Sequence, residues 1–98
     1  MTVFEMARLH LAIGLVLIHL AGVIHNDVYP RNAVKKEGQL PKWIDFTMAN
    51  IKHSCEGLDC GELRRFMQDE LELSAEDQEI VWDRARSIRG EGPRDVAF

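Results

Sequence analysis

An Asp at 27, an Asn five positions later at 32 and a second Asp at 45, closing an apolar run, are the residues of this chain best equipped for chemistry. They sit in His25-Asn26-Asp27-Val28-Tyr29-Pro30-Arg31-Asn32 and in Asp45-Phe46-Thr47. Phosphoryl transfer from a nucleotide needs one carboxylate to orient the acceptor hydroxyl, and a carboxamide and a carboxylate to hold magnesium. In that reading Asp27 takes the first role, and Asn32 and Asp45 ligate Mg2+ through hard oxygens that bridge nucleotide phosphates. The plainer alternatives are an Asp capping a loop, an Asn in a turn and an Asp ending an edge strand. The order and context of all of them together favour the first reading. His25 is expected to hold the loop by hydrogen bonds and not to act as a base.

A second cluster is His53, Cys55 and Cys60. It offers three soft or borderline ligands, whereas structural zinc normally takes four. The fourth must come from elsewhere, and His25 is one source. The spacing is not C-x-x-C, and Cys is among the residues most often buried for packing alone. Ordinary buried thiols are therefore the simpler expectation, with a small helical zinc-binding module as a weaker reading.

The pattern H-x-D-x-x-x-x-N followed by D-F resembles the catalytic loop and metal-binding segment of the protein-kinase-like superfamily. The wording GVIHNDVYPRNAV, PKWIDFTMANIKHSC and CGEL is most similar to the fungal kinase-like proteins of that group, which are related to the aminoglycoside and choline kinases. The resemblance spans roughly residues 9 to 73. It implies ATP and Mg2+ as cofactors, Asp27 as the catalytic residue, and Asn32 and Asp45 as the nucleotide- and metal-binding pair.

It also implies departures. Asn26 stands where many regulated protein kinases carry Arg, so capture of a phosphorylated activation loop is not expected. Tyr29 takes the place of a phosphate-contacting Lys, and Arg31 is the nearby positive charge that would restore it. Thr47 replaces a Gly and restricts the backbone there. Neither an Ala-Pro-Glu motif nor a G-x-G-x-x-G occurs in these 98 residues, and a whole kinase domain is far longer. The chain accordingly reads as part of a kinase large lobe, inactive by itself. The alternative is a non-catalytic, pseudokinase-like scaffold that uses the fold for association. The acceptor class, protein or small molecule, stays open.

Composition narrows the partners. A net charge of -4 argues against nucleic acid, whose phosphates require a basic face. Two cysteines without a secretory signature fit a reducing, cytoplasmic setting better than a disulfide framework. The apolar run Leu9 to Ile24 is interrupted by His10 and His19 and is shorter than the roughly 18–20 residues a membrane span needs. No membrane partner is expected.

The elements that must position these residues follow from periodicity and punctuation. A helix is predicted from Val3 to Ala21; it is apolar on nearly all sides from Leu11 to Ile18, so it must be buried in protein. Gly22 ends it. A short strand at Ala33-Val34, the turn Lys36-Glu37-Gly38 and a strand from Lys42 to Phe46 form a hairpin, with Asp27 and Asn32 on the loop before it and Asp45 at the strand end. Residues 47–60 read as a loop. Leu63, Phe66, Met67 and Leu71 recur at helical spacing and give a helix from Gly61 to Leu73. Ser74 with Asp77 opens a last helix that Gly90 stops. Trp43 and Trp82 are read as packing residues, and residues 91–98 as a frayed tail. The expectation is thus one α+β, mainly helical, partial kinase-like domain over 1–98: a buried helix (1–21), the catalytic loop and hairpin (22–46), a loop (47–60), two helices (61–90) and the tail (91–98). A partial lobe leaves apolar faces uncovered, above all along Leu11 to Leu20, and these should drive self-association.

Overall fold

Eighteen residues with an apolar side on almost every turn build the first helix, α1 (Val3–Leu20), in the computed structural model, which describes residues 3–90, with side chains from Met6. Ala12, Leu15, Val16 and His19 recur at spacings of three and four, and all four are buried. The helix ends where Gly22 takes φ +86, a left-handed conformation that costs glycine nothing. The closing turn is sealed by Gly22 N–H donating to His19 O at 3.0 Å.

A loop then leads through a 3-10 turn at Pro30–Asn32 into β1 (Ala33–Val34), which pairs antiparallel with β2 (Lys42–Trp43). β2 is shorter than the predicted run to Phe46. One more backbone bond, Ile44 N–H to Asn32 O at 2.8 Å, extends the pairing before Asp45 turns to φ +60 and breaks the extended path. Residues 22–24 and 50–53 lie as a second antiparallel ribbon: Ile24 and Asn50 exchange both backbone hydrogen bonds at 3.0 Å, and His53 N–H donates to Gly22 O at 2.9 Å.

The predicted helix over 61–73 is α2 (Gly61–Arg64) running on into a π-helix (Arg65–Glu70). The wider turn keeps Leu63, Phe66 and Met67 all in the core, and Leu71 N–H closes it onto Phe66 O, five residues back. Glu72 at φ +55 ends the segment. The last helix, α3 (Ala75–Arg89), has the expected caps. Ser74 Oγ accepts from Asp77 N–H at 3.1 Å, and Gly90 at φ +90 lets its N–H reach Ser87 O. The segment read as a tail lies outside the described residues.

The result is an α+β fold, 54% helical, with a two-stranded antiparallel sheet among the described residues. α1 lies against α3 and β2, and one core joins Ala12, Leu15, Val16, Val28, Trp43, Leu63, Phe66, Met67, Val81 and Ala85. No described helix is long and apolar enough to cross a membrane. The expected bare face along Leu11 to Leu20 is absent, because every residue of that stretch is buried or half-buried. The apolar side chains most open to water are instead Leu40, Met48, Ile51 and Ile80.

Trp43 crosses α1 at Gly14, with its Nε1–H donating to Leu11 O at 2.8 Å. A Cβ at Gly14 would meet Trp43 Cδ1 at 3.6 Å, an ordinary van der Waals contact. Glycine inside a helix is less stable than alanine by about 0.5–1 kcal/mol, so Gly14→Ala should raise stability by that amount. Thermal melting of the variant should shift upward by about 2–8 °C. A fall instead would mean that Trp43 cannot give way at all.

Candidate functional site

The loop between α1 and β1 is fastened residue by residue. His25, Val28 and Asn32 face inward and are buried, whereas Asn26, Tyr29, Pro30 and Arg31 are exposed. His25 works as a strut. Its Nδ1 accepts from Asp27 N–H at 3.2 Å, and its Nε2 lies 2.9 Å from Ile44 O. A carbonyl can only accept, so the ring proton is on Nε2, and His25 joins the loop to the residue before Asp45. Phe46 and Trp43 are its ring neighbours, with centroids 4.8 and 6.0 Å away. The expected holding role for His25 thus has a geometry; its suggested role as a fourth zinc ligand does not, since both ring nitrogens are engaged, by Asp27 N–H and by Ile44 O.

Asp27 and Asn32 are brought together directly. The Asn32 amide donates one hydrogen to Asp27 Oδ2 at 2.8 Å and the other to the Asp27 main-chain oxygen at 2.7 Å. Arg31 Nη2 donates to the remaining carboxylate oxygen, Oδ1, at 2.6 Å, and its guanidinium also lies 4.7 Å from the Tyr29 ring centre. The positive charge that sequence reasoning placed near the loop is therefore paired with Asp27 itself.

Asp45 is not hydrogen-bonded to either of them. It stands one residue beyond Ile44, whose N–H is held by Asn32 and whose carbonyl is held by His25. Asp45 Oδ1 accepts from both the side-chain hydroxyl and the main-chain N–H of Thr47. Those two bonds, with lesser help from the charges of His25 and Arg31, hold the exposed carboxyl below its usual range. The restriction expected at Thr47 does not arise, because the left-handed residue here is Asp45. Asn26, at φ +66, is the other strained residue of the loop.

What fixes Asn26 is Glu62, a residue to which the sequence assigned no role. Glu62 lies in the first turn of α2, with its side chain 8% exposed. Its Oε2 accepts from Asn26 N–H at 2.7 Å, and its Oε1 accepts from His25 N–H at 3.0 Å and lies 2.7 Å from His19 Nε2. Burial pushes the Glu62 carboxyl up, but the bonds from His19, Asn26 and His25 together outweigh it and hold it below the ordinary value. Two backbone amides thus cradle the Glu62 carboxylate, which defines where the loop begins.

The His/Cys cluster closes around the other side of His19. Glu62 accepts only, so the His19 proton is on Nε2 and the Nδ1 lone pair faces inward. Cys55 Sγ lies 3.4 Å and Cys60 Sγ 3.6 Å from that nitrogen, and His53 Nε2 lies 3.5 Å from Cys60 Sγ. The ligand atoms of His19, His53, Cys55 and Cys60 all fall within 4.8 Å of one another. Backbone geometry assembles them. The ribbon that bonds His53 to Gly22 turns His53 toward the end of α1, and a 3-10 turn over Gly57–Asp59 folds Cys55 and Cys60 together. Burial pushes the Cys55 thiol up to about 11. Sequence reasoning found three of the four members and missed His19. The available signal was a histidine inside an apolar helix, which requires a polar partner.

Set against protein-family models, curated proteins and solved structures, the chain matches none of them.

Proposed function

We propose that this chain is a segment of a kinase-like phosphotransferase, in which Asp27 orients an acceptor hydroxyl and Asn32 and Asp45 hold the Mg2+ of Mg-ATP. The observation that carries the reading is the double duty of Asn32. Its amide hydrogens are both committed to Asp27, which leaves its Oδ1 as the atom offered to a cation. Its main-chain oxygen meanwhile holds Ile44, the neighbour of Asp45. One residue thus joins the group that would orient the acceptor to the segment that would bring the second magnesium ligand. Magnesium keeps several waters and takes phosphate oxygens, so two protein oxygens suffice for a weak site.

Binding should be weak for a physical reason. Positioning and electrostatic stabilisation are nearly the whole of phosphoryl-transfer catalysis, and these 98 residues contain no glycine-rich loop to grip the phosphates. Mg-ATP should bind to the chain with Kd of about 1 mM or weaker, equivalent to about 4 kcal/mol, with no detectable transfer. Amide NMR spectra with Mn2+ and ATP at millimolar concentration provide the test. Broadening confined to residues 26–32 and 45–47, and lost in Asp45→Ala, is the expected result. Uniform or absent broadening would remove the nucleotide reading.

The scaffold alternative has its own observation, the Arg31–Asp27 ion pair at 2.6 Å. With Asn32 on the other oxygen, neither Asp27 carboxylate oxygen is without a donor. If Mg-ATP leaves the spectrum untouched in both the parent chain and Arg31→Ala, the loop is a retained scaffold and Asp27 a structural residue.

A further inference from the structure

We propose that His19 Nδ1, His53 Nε2, Cys55 Sγ and Cys60 Sγ form a structural zinc site, and that Glu62 is the carboxylate that orients its buried histidine. The proposal is independent of the nucleotide reading, since none of the four ligands touches Asp27, Asn32 or Asp45.

Zinc bound tetrahedrally, with Zn–S of about 2.3 Å and Zn–N of about 2.0–2.1 Å, sets each nitrogen about 3.6 Å from each sulfur. The three nitrogen–sulfur separations given above are 3.4, 3.6 and 3.5 Å. Two nitrogens and two sulfurs also form a donor set that selects zinc among the common divalent ions, because soft thiolates exclude magnesium and calcium.

The tautomer of His19 is fixed as well. Metal-bound histidines donate their other ring N–H to a carboxylate or carbonyl, which orients the ring and strengthens the ligand. His19 is 1% exposed and has that arrangement, Nε2 on Glu62 at 2.7 Å and Nδ1 aimed at the sulfurs. Hydrogen bonding alone explains this less well. Two sulfurs converge on a single nitrogen lone pair, which one S–H would satisfy, whereas a cation at the centre engages all four groups.

The ligands come from the end of α1, from the ribbon and from both ends of the turn before α2, so one ion would tie the end of α1 to segments distant from it in sequence. A core of this size has little stability in reserve, and small domains commonly gain it from a metal. Glu62 bonds His19 and the backbone of His25 and Asn26 with one carboxylate, so the ion would also brace the start of the Asp27 loop.

The test is metal analysis of the full chain purified in reducing buffer without chelator. About one zinc per chain is expected. Stripped protein titrated with Co2+ should develop the visible absorption of a tetrahedral site together with a thiolate charge-transfer band. Cys55→Ser and His53→Ala should each lose that spectrum. Glu62→Gln should keep it while zinc affinity, measured by chelator competition, falls about 10–100-fold. If a ligand variant fails to fold, the parent chain still decides: its melting temperature should fall on chelation and recover with zinc. Parent protein that takes up neither zinc nor Co2+ stoichiometrically overturns the proposal. So do ligand variants that keep the parent cobalt spectrum, and so does a Cys55–Cys60 disulfide found by mass spectrometry in anaerobically prepared protein.

Discussion

Replacing Glu62 with Ala should cost about 3–5 kcal/mol, toward the low end of the sum for three hydrogen-bond donors stripped of their acceptor. The side chain is 8% exposed and accepts three hydrogen bonds, two of them from backbone amides that have no second partner of this kind. Alanine leaves His19 Nε2–H and the N–H groups of His25 and Asn26 unanswered, and each buried unsatisfied donor costs about 1–3 kcal/mol. The loss is partial where water reaches Asn26. Glu62→Gln separates charge from shape. Its amide oxygen can still accept from His19 and His25, while its NH2 opposes the Asn26 N–H, so about 1–3 kcal/mol should be lost. Urea unfolding gives the magnitudes, and amide exchange at His25 and Asn26 gives the location, fast in Ala and intermediate in Gln. Two variants within 0.5 kcal/mol of the parent, roughly the scatter of neutral surface changes, would show that the loop is fixed by something other than this carboxylate.

Much of this arrangement was legible because its signals are local. Gly22, Ser74 and Gly90 mark helix ends through φ preference and a single side-chain oxygen, and the helices begin and end beside them. The pairing of Asp27 with Asn32 follows from five residues of loop. What stayed hidden is non-local. His19 and Glu62 are 43 residues apart, and Glu62 and His25 37 apart. In the sequence Glu62 is one acidic residue in a first helical turn, the commonest place for one. His25 is the fourth member of the His/Cys cluster that the sequence suggests, whereas the helix register points His19 inward instead. The strand to Phe46 was too long because alternation does not reveal that Asp45 adopts a left-handed conformation. The π-helix after Arg64 was read as α, since its apolar spacing fits either period.

Leu15→Ala sets the scale of the core against that of the loop. Leu15 is fully buried in the middle of α1 and belongs to the one core of the chain. Truncation removes its apolar contacts and leaves a cavity, at a cost of about 2–5 kcal/mol. A domain of this length has about 5–15 kcal/mol in total, so the midpoint in urea should fall sharply at unchanged slope. Asp27→Asn should behave differently. Its ion pair is with an Arg31 side chain that is 66% exposed, and such pairs contribute about 0–1 kcal/mol. The new amide oxygen can still accept from Asn32 Nδ2, so the loop keeps its central hydrogen bond. A loss of about 1 kcal/mol is expected, within the range of one ordinary hydrogen bond. The ratio of the two losses is the informative quantity. A catalytic-loop carboxylate should be nearly dispensable to folding, while the helix beneath it should not. Equal losses would make Asp27 a structural residue, and the phosphotransferase reading would then rest on Asn32 and Asp45 alone, which can hold a cation but cannot orient an acceptor.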